Sequence, residues 1–207
     1  MPPTVLLMLK APTAGAVKTR LGRDLGMPAA AAIYRRLVEH QMNQLPPGWP
    51  VRICFAPAEA PSAMQDWLGE SHAYSPQVEG DLGERLTDAA KTHFAATDAP
   101  LAIVGGDCPA LTRAVFLRLP ELLSRHDVIL VPADDGGYCL IAMRRFVPEA
   151  FQRIPWSTAA VLDETRARLA ASDRSWNELE PMEDVDDLPS WRRAVAAFPA
   201  LGAGDCG

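Results

Sequence analysis

"VILVPADDGGYCLIAMR" (residues 128–144) places two apolar runs, Val128 to Val131 and Tyr138 to Arg144, on either side of a link centred on Asp134-Asp135-Gly136-Gly137. Short aliphatic runs bounded by turn residues read as buried strands. Parallel neighbours need a crossover of a dozen or more residues, and this link is far too short to hold a helix. The two strands must therefore be antiparallel.

Upstream of this stretch the rhythm is different. Val5 to Leu9, Val51 to Ala56 and Leu101 to Gly105 read as further buried strands, each separated from the next by helical sequence. In residues 28–45, Ile33, Leu37, Val38, Met42 and Leu45 recur at helical spacing behind a proline near the start, while Arg35, Arg36 and Glu39 fall elsewhere. Residues 81–96 form a second such helix. Residues 112–125 form a third, expected to be interrupted at Pro120, and residues 157–171 a fourth. Strand-helix alternation followed by one tight hairpin predicts an α/β fold with a mixed, mostly parallel sheet and ligands at the C-terminal ends of its parallel strands. Pro46-Pro47 and residues 58–61 read as loops.

The chain of 207 residues suits one compact domain, 1–207, with 48% hydrophobic residues and a formal net charge of -6. That balance argues against non-specific nucleic-acid binding, so any anion site must be local. The N-terminal apolar run has no charged leader and is too short for a signal peptide or a membrane span, which predicts a cytoplasmic protein with no membrane partner. Cys54, Cys108, Cys139 and Cys206 form no CxxC pair, so neither a zinc site nor a disulfide framework is expected.

The loop after the first strand, "KAPTAGAVKTRLG" (residues 10–22), has neither the P-loop spacing nor GxGxxG. It still carries the parts of a phosphate cradle: Gly15 permits close backbone approach, and Lys18 and Arg20 supply a point charge and a planar fork. A solvated basic loop leading into a helix is the alternative. In "AIVGGDCPALT" (residues 102–112), Asp107 follows a buried strand, where it could ligate a hard cation or cap the next turn. Asp134 and Asp135 form good hairpin-turn chemistry beside Gly136 and Gly137, and could equally orient an acceptor or act as a general base. Asp81 and Glu84 read as a capping box, with Gly80 and Gly83 open to close approach by a flat ring such as a nucleobase. The acidic run Glu183, Asp184, Asp186, Asp187 precedes a short helix, where the helix dipole alone would favour it. Ser157 or Thr158 is a natural N-cap, and Trp156 either stacks on an acceptor or packs under its loop. The four histidines, scattered through the chain, suggest no catalytic role.

Taken in order, KAPTAGAVKTRLG, QVEGDLGERL, GGDCPALT, ADDGGYCLI, PWSTAAVL and MEDVDD resemble the successive motifs of the DUF2064 family, also described as radical-SAM/selenodomain-associated transferase 1. The resemblance runs from about Leu6 to about Leu188. It implies a three-layer α/β/α sandwich of the GT-A-like, nucleotide-diphospho-sugar transferase kind, similar also to 2-phospholactate and molybdenum cofactor guanylyltransferases. By the same resemblance, Lys10, Pro12, Gly15, Lys18, Thr19 and Arg20 form the nucleotide-phosphate loop, and Gly80, Asp81 and Gly83 contact base or ribose. Asp107 and Asp186 would hold Mg²⁺ or Mn²⁺, with Asp184 competing for the second position, while Asp134 or Asp135 aligns the acceptor. The implied activity is metal-dependent glycosyl transfer from a nucleotide sugar to a small-molecule acceptor. Nucleotidyl transfer from a triphosphate to a phosphorylated acceptor and a non-catalytic nucleotide-binding module are its alternatives. A single Asp107 after Gly105-Gly106, where many GT-A glycosyltransferases carry Asp-x-Asp, favours the nucleotidyl alternative.

Overall fold

In the computed structural model, which describes residues 1–203, β1 (Thr4–Lys10) sends Val5, Leu7 and Leu9 into one apolar cluster and Leu6 and Met8 into another. This is the two-sided burial expected of a central strand covered by helices on both faces. The chain continues through α1 (Thr19–Leu25), α2 (Met27–Gln44), β2 (Val51–Ala56), α3 (Pro61–Leu68), β3 (Ala73–Pro76), α4 (Leu82–Ala96) and β4 (Leu101–Val104). It ends with α5 (Arg113–Arg125), β5 (Val128–Pro132), β6 (Tyr138–Met143), α6 (Val161–Ala171), β7 (Trp176–Glu178) and α7 (Leu188–Ala197). Cys54, Cys108 and Cys139 are buried free thiols, and Cys206 lies outside the described residues.

The seven strands form one sheet in the order β3-β2-β1-β4-β6-β5-β7. The expected hairpin decides its character. β6 pairs antiparallel with both β4 and β5, and the remaining pairs are parallel. Helices α2, α3 and α5 cover one face through Val38, Met64 and Phe116, while α4 and α6 cover the other through Leu86, Ala90 and Leu169. The α/β/α sandwich is thus present. A third cluster joins Leu21 of α1 and Leu37 of α2 to Trp191 of α7, which fixes α7 beside the loop after β1.

Three expectations are corrected. α5 runs unbroken through Pro120, although the ring removes the N–H that Phe116 would otherwise receive; Phe116, Leu119 and Leu123 lie buried along one side, and this packing holds the helix together. The fourth helix begins at Val161, because residues 157–160 form a separate turn in which Thr158 Oγ1 donates to Pro155 O at 2.7 Å. Its N-cap is accordingly Ala160. α1, α3, β3 and β7 are additional to the expected elements. Among the described residues, no helix is long and apolar enough to cross a membrane.

Candidate functional site

The loops after β1, β4, β5 and β7 leave the sheet at one edge, and there Lys18 joins two acids from distant parts of the chain. Its Nζ donates to Asp107 Oδ2 at 2.8 Å and to Asp186 Oδ1 at 2.9 Å, with the lysine side chain only 7% exposed. Burial alone would lower the lysine pKa, but the charges of Asp107 and Asp186 outweigh it and hold the ammonium well above its ordinary range. Arg20 Nη1 reaches the other oxygen of Asp186 at 3.4 Å from an exposed position.

Each partner is held by its own local structure. Lys18 is the N-cap of α1 in the left-handed region, φ 45°, a conformation that costs a non-glycine residue about 1 kcal/mol. Asp107 follows Gly105 and Gly106; a Cβ on Gly106 would lie 2.5 Å from Val38 Cγ2 and 2.8 Å from Leu9 Cδ2, so the loop can cross the core only without one. Gly106→Ala is expected to cost about 1–3 kcal/mol by overpacking and to displace Asp107, read as a lower thermal midpoint together with weaker Mn²⁺ binding. The Asp186 segment is tied to Asp107 directly, since Val185 N–H donates to Asp107 O at 2.9 Å. Beyond it, Asp187 caps α7 in a reciprocal box with Ser190, whose Oγ also accepts from Asp186 N–H at 3.0 Å.

The acidic run therefore divides by role. Glu183 pairs with Arg193, Asp187 caps α7, and Asp184 and Asp186 flank the buried Val185. Residues two apart in extended chain share a side, and Asp107, Asp184 and Asp186 each place a carboxylate oxygen within 4.8 Å of the others'. Asp184 and Asp186 thus both converge on Asp107. Burial, reinforced by the charges of Asp107, Asp186 and Asp135, pushes Asp184 up to about 6. A carboxyl whose folded pKa lies above its ordinary value favours the fold at low pH, and that contribution disappears as pH rises through about 6. Asp184→Asn should accordingly stabilise the metal-free protein by about 1 kcal/mol at about pH 8, after allowance for solvent screening, and by less at about pH 4.5. Urea denaturation at the two pH values reads the difference.

Two cavities meet at this cluster. A cavity of about 310 Å³ is lined by Lys10, Lys18, Thr19, Arg20, Asp107 and Asp186, with Met8 and Tyr34 at its sides. Tyr34, whose Oη accepts the Lys10 backbone N–H at 3.0 Å, escapes the sequence reading because it looks like one more residue of a helix's buried face. Pro12 and Gly15 (φ 84°) shape the loop outside this lining. A larger cavity of about 590 Å³ shares Met8, Arg20, Gly105, Asp107 and Asp186 with the first and adds Asp135, Asp184, Tyr138 and Trp156.

Asp134 and Asp135 separate in the same way. Asp135 Oδ1 accepts Gly137 N–H at 2.9 Å and lines the larger cavity, whereas Asp134 lies outside both linings. Asp81 and Glu84 form the expected capping box of α4. Gly80 (φ 126°) and Gly83 do admit close approach, but to the protein's own groups: added Cβ atoms would lie 2.2 Å from Glu84 Oε2 and 2.0 Å from Trp156 Nε1. Arg85 donates to Gly80 O and Gln77 Oε1 and so closes the loop before α4.

Residues 41–158 match the model of a family described as uncharacterized proteins conserved in bacteria, DUF2064. A comparison with the curated proteins finds no match. Among solved structures, the chain is similar to a "putative nucleotide-diphospho-sugar transferase" from Desulfovibrio desulfuricans G20, with 30% identity, 97% of each chain covered and a TM-score of 0.84. It shares its fold with Rv0371c of Mycobacterium tuberculosis H37Rv, solved in complex with manganese, at 15% identity over 95% of this chain and 100% of that one, TM-score 0.56. It also shares it with a CMP:2-keto-3-deoxy-manno-octonic acid synthetase complexed with CTP, at 14% identity over 97% and 99%, TM-score 0.57.

Proposed function

Because this chain belongs to the DUF2064 family, we propose that it is a nucleotide-using, divalent-metal-dependent transferase acting by glycosyl transfer from a nucleotide-diphospho-sugar to a small-molecule acceptor. The observation that carries this reading is the meeting of Lys18 with Asp107 and Asp186, with Asp184 converging on the same two acids, at the edge of the sheet. The donor set fits Mg²⁺ or Mn²⁺: all ligand atoms are hard carboxylate oxygens, and their crowding raises the affinity of Asp184 for a positive charge. When bound, such an ion would polarise the diphosphate and offset charge on the leaving group.

The remaining work falls to the chain's own side chains. Lys18, Arg20 and Lys10 meet the phosphates in the smaller cavity, with Thr19 beside them. Lys18 turns from the two carboxylates toward the diphosphate, so its charge serves the protein in both states. In the larger cavity the acceptor hydroxyl attacks the anomeric carbon, forming a C–O bond as the bond to the diphosphate breaks with its electron pair. Asp135, oriented by Gly137 N–H, aligns the hydroxyl and takes its proton.

A second reading is favoured by the lone Asp107 after Gly105-Gly106: a triphosphate donor, attack by an acceptor phosphate on the α-phosphorus, and departure of pyrophosphate. Calorimetric titration with nucleoside diphosphates, triphosphates and nucleotide sugars, each with and without Mn²⁺, separates the two. Metal-dependent preference for a nucleotide sugar over its triphosphate is expected. Preference for the triphosphate would replace glycosyl by nucleotidyl transfer, and failure of folded protein to bind any of them would remove both.

A further inference from the structure

The larger cavity has a lining unlike that of the phosphate-facing one. Leu82, Leu86, Ile141, Tyr138 and Trp156 form a mostly apolar wall, in which the Tyr138 and Trp156 rings meet edge to face at 6.3 Å and 81°. Leu82 is 44% exposed at the first turn of α4, a position where burial against the protein does not account for a leucine. Trp156 is held by several devices at once. Gly83 leaves room for its indole, Thr158 closes its turn onto Pro155 O, and Gly136 lies so near the Ala159 backbone that a Cβ there would come within 2.2 Å of Ala159 O. Leu162 N–H donates to Gly136 O at 2.8 Å, locking this turn to the hairpin that carries Asp135.

The charges around that wall have one sign. Four carboxylates, Asp107, Asp135, Asp184 and Asp186, line the cavity, and among the described lining residues Arg20 is the only cation. Arg20 stands on the rim shared with the smaller cavity and is already directed at Asp186. A phosphorylated or carboxylated molecule seated against Trp156 would find no cation on the apolar side and would face Asp135, the one carboxylate of this lining outside the proposed metal set. Desolvating an anion there is costly, whereas an uncharged ring gains by burial.

We propose that the larger cavity is the acceptor subsite and that it takes an uncharged hydroxyl compound with an apolar ring, the ring against Trp156, Tyr138 and Leu82 and the hydroxyl toward Asp135. The acceptor role rests on the nucleotide-transferase reading above; the preference for a neutral, ring-bearing ligand rests on the wall and its charges. Aromatic walls of this kind distinguish ligands by area and flatness. Asp135, with no cation beside the apolar wall, distinguishes them by sign.

The test is calorimetric titration of the full chain with phenyl β-D-glucoside and, separately, with glycerol 3-phosphate, repeated on Trp156→Ala and Leu82→Asp. Binding of each protein to the nucleotide selected by the panel above is measured in parallel with Mn²⁺. Phenyl β-D-glucoside should bind and glycerol 3-phosphate should not; each substitution should weaken the glucoside about tenfold while nucleotide affinity stays within about twofold. Leu82→Asp sits on an exposed helix start where an acid is well tolerated, so it decides the matter if Trp156→Ala fails to fold. Tighter binding of glycerol 3-phosphate, no binding of the glucoside, or glucoside binding indifferent to both substitutions would overturn the proposal while the nucleotide reading stands. Absence of nucleotide binding by wild type would overturn the transferase reading and the acceptor role together, whatever the glucoside does.

Discussion

Asp107→Asn should weaken Mn²⁺-dependent nucleotide binding by about 100-fold or more and leave thermal stability almost unchanged. The amide keeps the shape of the carboxylate but removes one charge from the proposed metal position, and even outer-shell partners of a metal ligand are worth about 10- to 100-fold in affinity. Stability is spared for a specific reason. Lys18 keeps its 2.9 Å contact with Asp186, and the loss of one acid relieves repulsion on Asp184. Calorimetry with and without Mn²⁺, beside a thermal melt, reads both parts. Retained metal-dependent affinity would place the ion elsewhere.

Lys18→Ala should do the opposite to stability. Without the ammonium, Asp107, Asp184 and Asp186 face one another with the exposed Arg20 as the remaining ion-pair partner among the described residues, and a poorly compensated cluster of this kind destabilises by about 2–3 kcal/mol at about pH 8 once partial exposure is discounted. The pH dependence has a definite sign. Asp184, pushed up to about 6, is mostly protonated at about pH 5 and ionised at about pH 8, so the poorly compensated cluster gains a negative charge over that range. The deficit should therefore widen from about pH 5 to about pH 8 in urea denaturation. Mn²⁺ should restore part of it, and should raise the melting temperature of the variant more than that of wild type. Lys18→Gly separates charge from backbone, because glycine accepts φ 45° freely and should be about 1 kcal/mol more stable than the alanine variant. Equal stability of wild type and Lys18→Ala at both pH values would contradict the pairing.

The β5-β6 hairpin and the buried strands were legible because burial on two faces leaves unbroken apolar runs, and a link of a few residues admits one geometry. The shorter elements had no comparable signal. α1 buries only Leu21 and Gly22 and is capped by a lysine rather than by Ser, Thr, Asp or Asn, so neither periodicity nor capping marks its start. β3 is a four-residue edge strand containing Pro76, and β7 is three residues long with no fully buried side chain. α3 did carry a mark, Pro61 at its first position, but the neighbouring prolines read equally well as a loop.

At the site, the resemblance and the rule that ligands gather at the C-terminal ends of parallel strands together pointed to Lys18, Asp107 and Asp186. What sequence could not express is the partition among adjacent acids. Asp184 joins Asp186 because the extended chain alternates about Val185, Asp187 leaves the cluster because α7 needs a cap, and Asp135 differs from Asp134 by its bond to Gly137 N–H. Trp156 was the opposite case: sequence left it between packing under its loop and stacking on an acceptor, and the structure packs it against Gly83 and places it in the lining of the larger cavity.

The central claim is that the three carboxylates and Lys18 together hold a metal-nucleotide complex, and electron paramagnetic resonance titration with Mn²⁺ tests it most directly. Free-ion signal is followed in the presence and absence of the nucleotide that binds best. One ion per chain is expected, bound about tenfold or more tightly with nucleotide present and about 100-fold or more weakly by Asp107→Asn. Mn²⁺ binding indifferent to both the nucleotide and the substitution would contradict it.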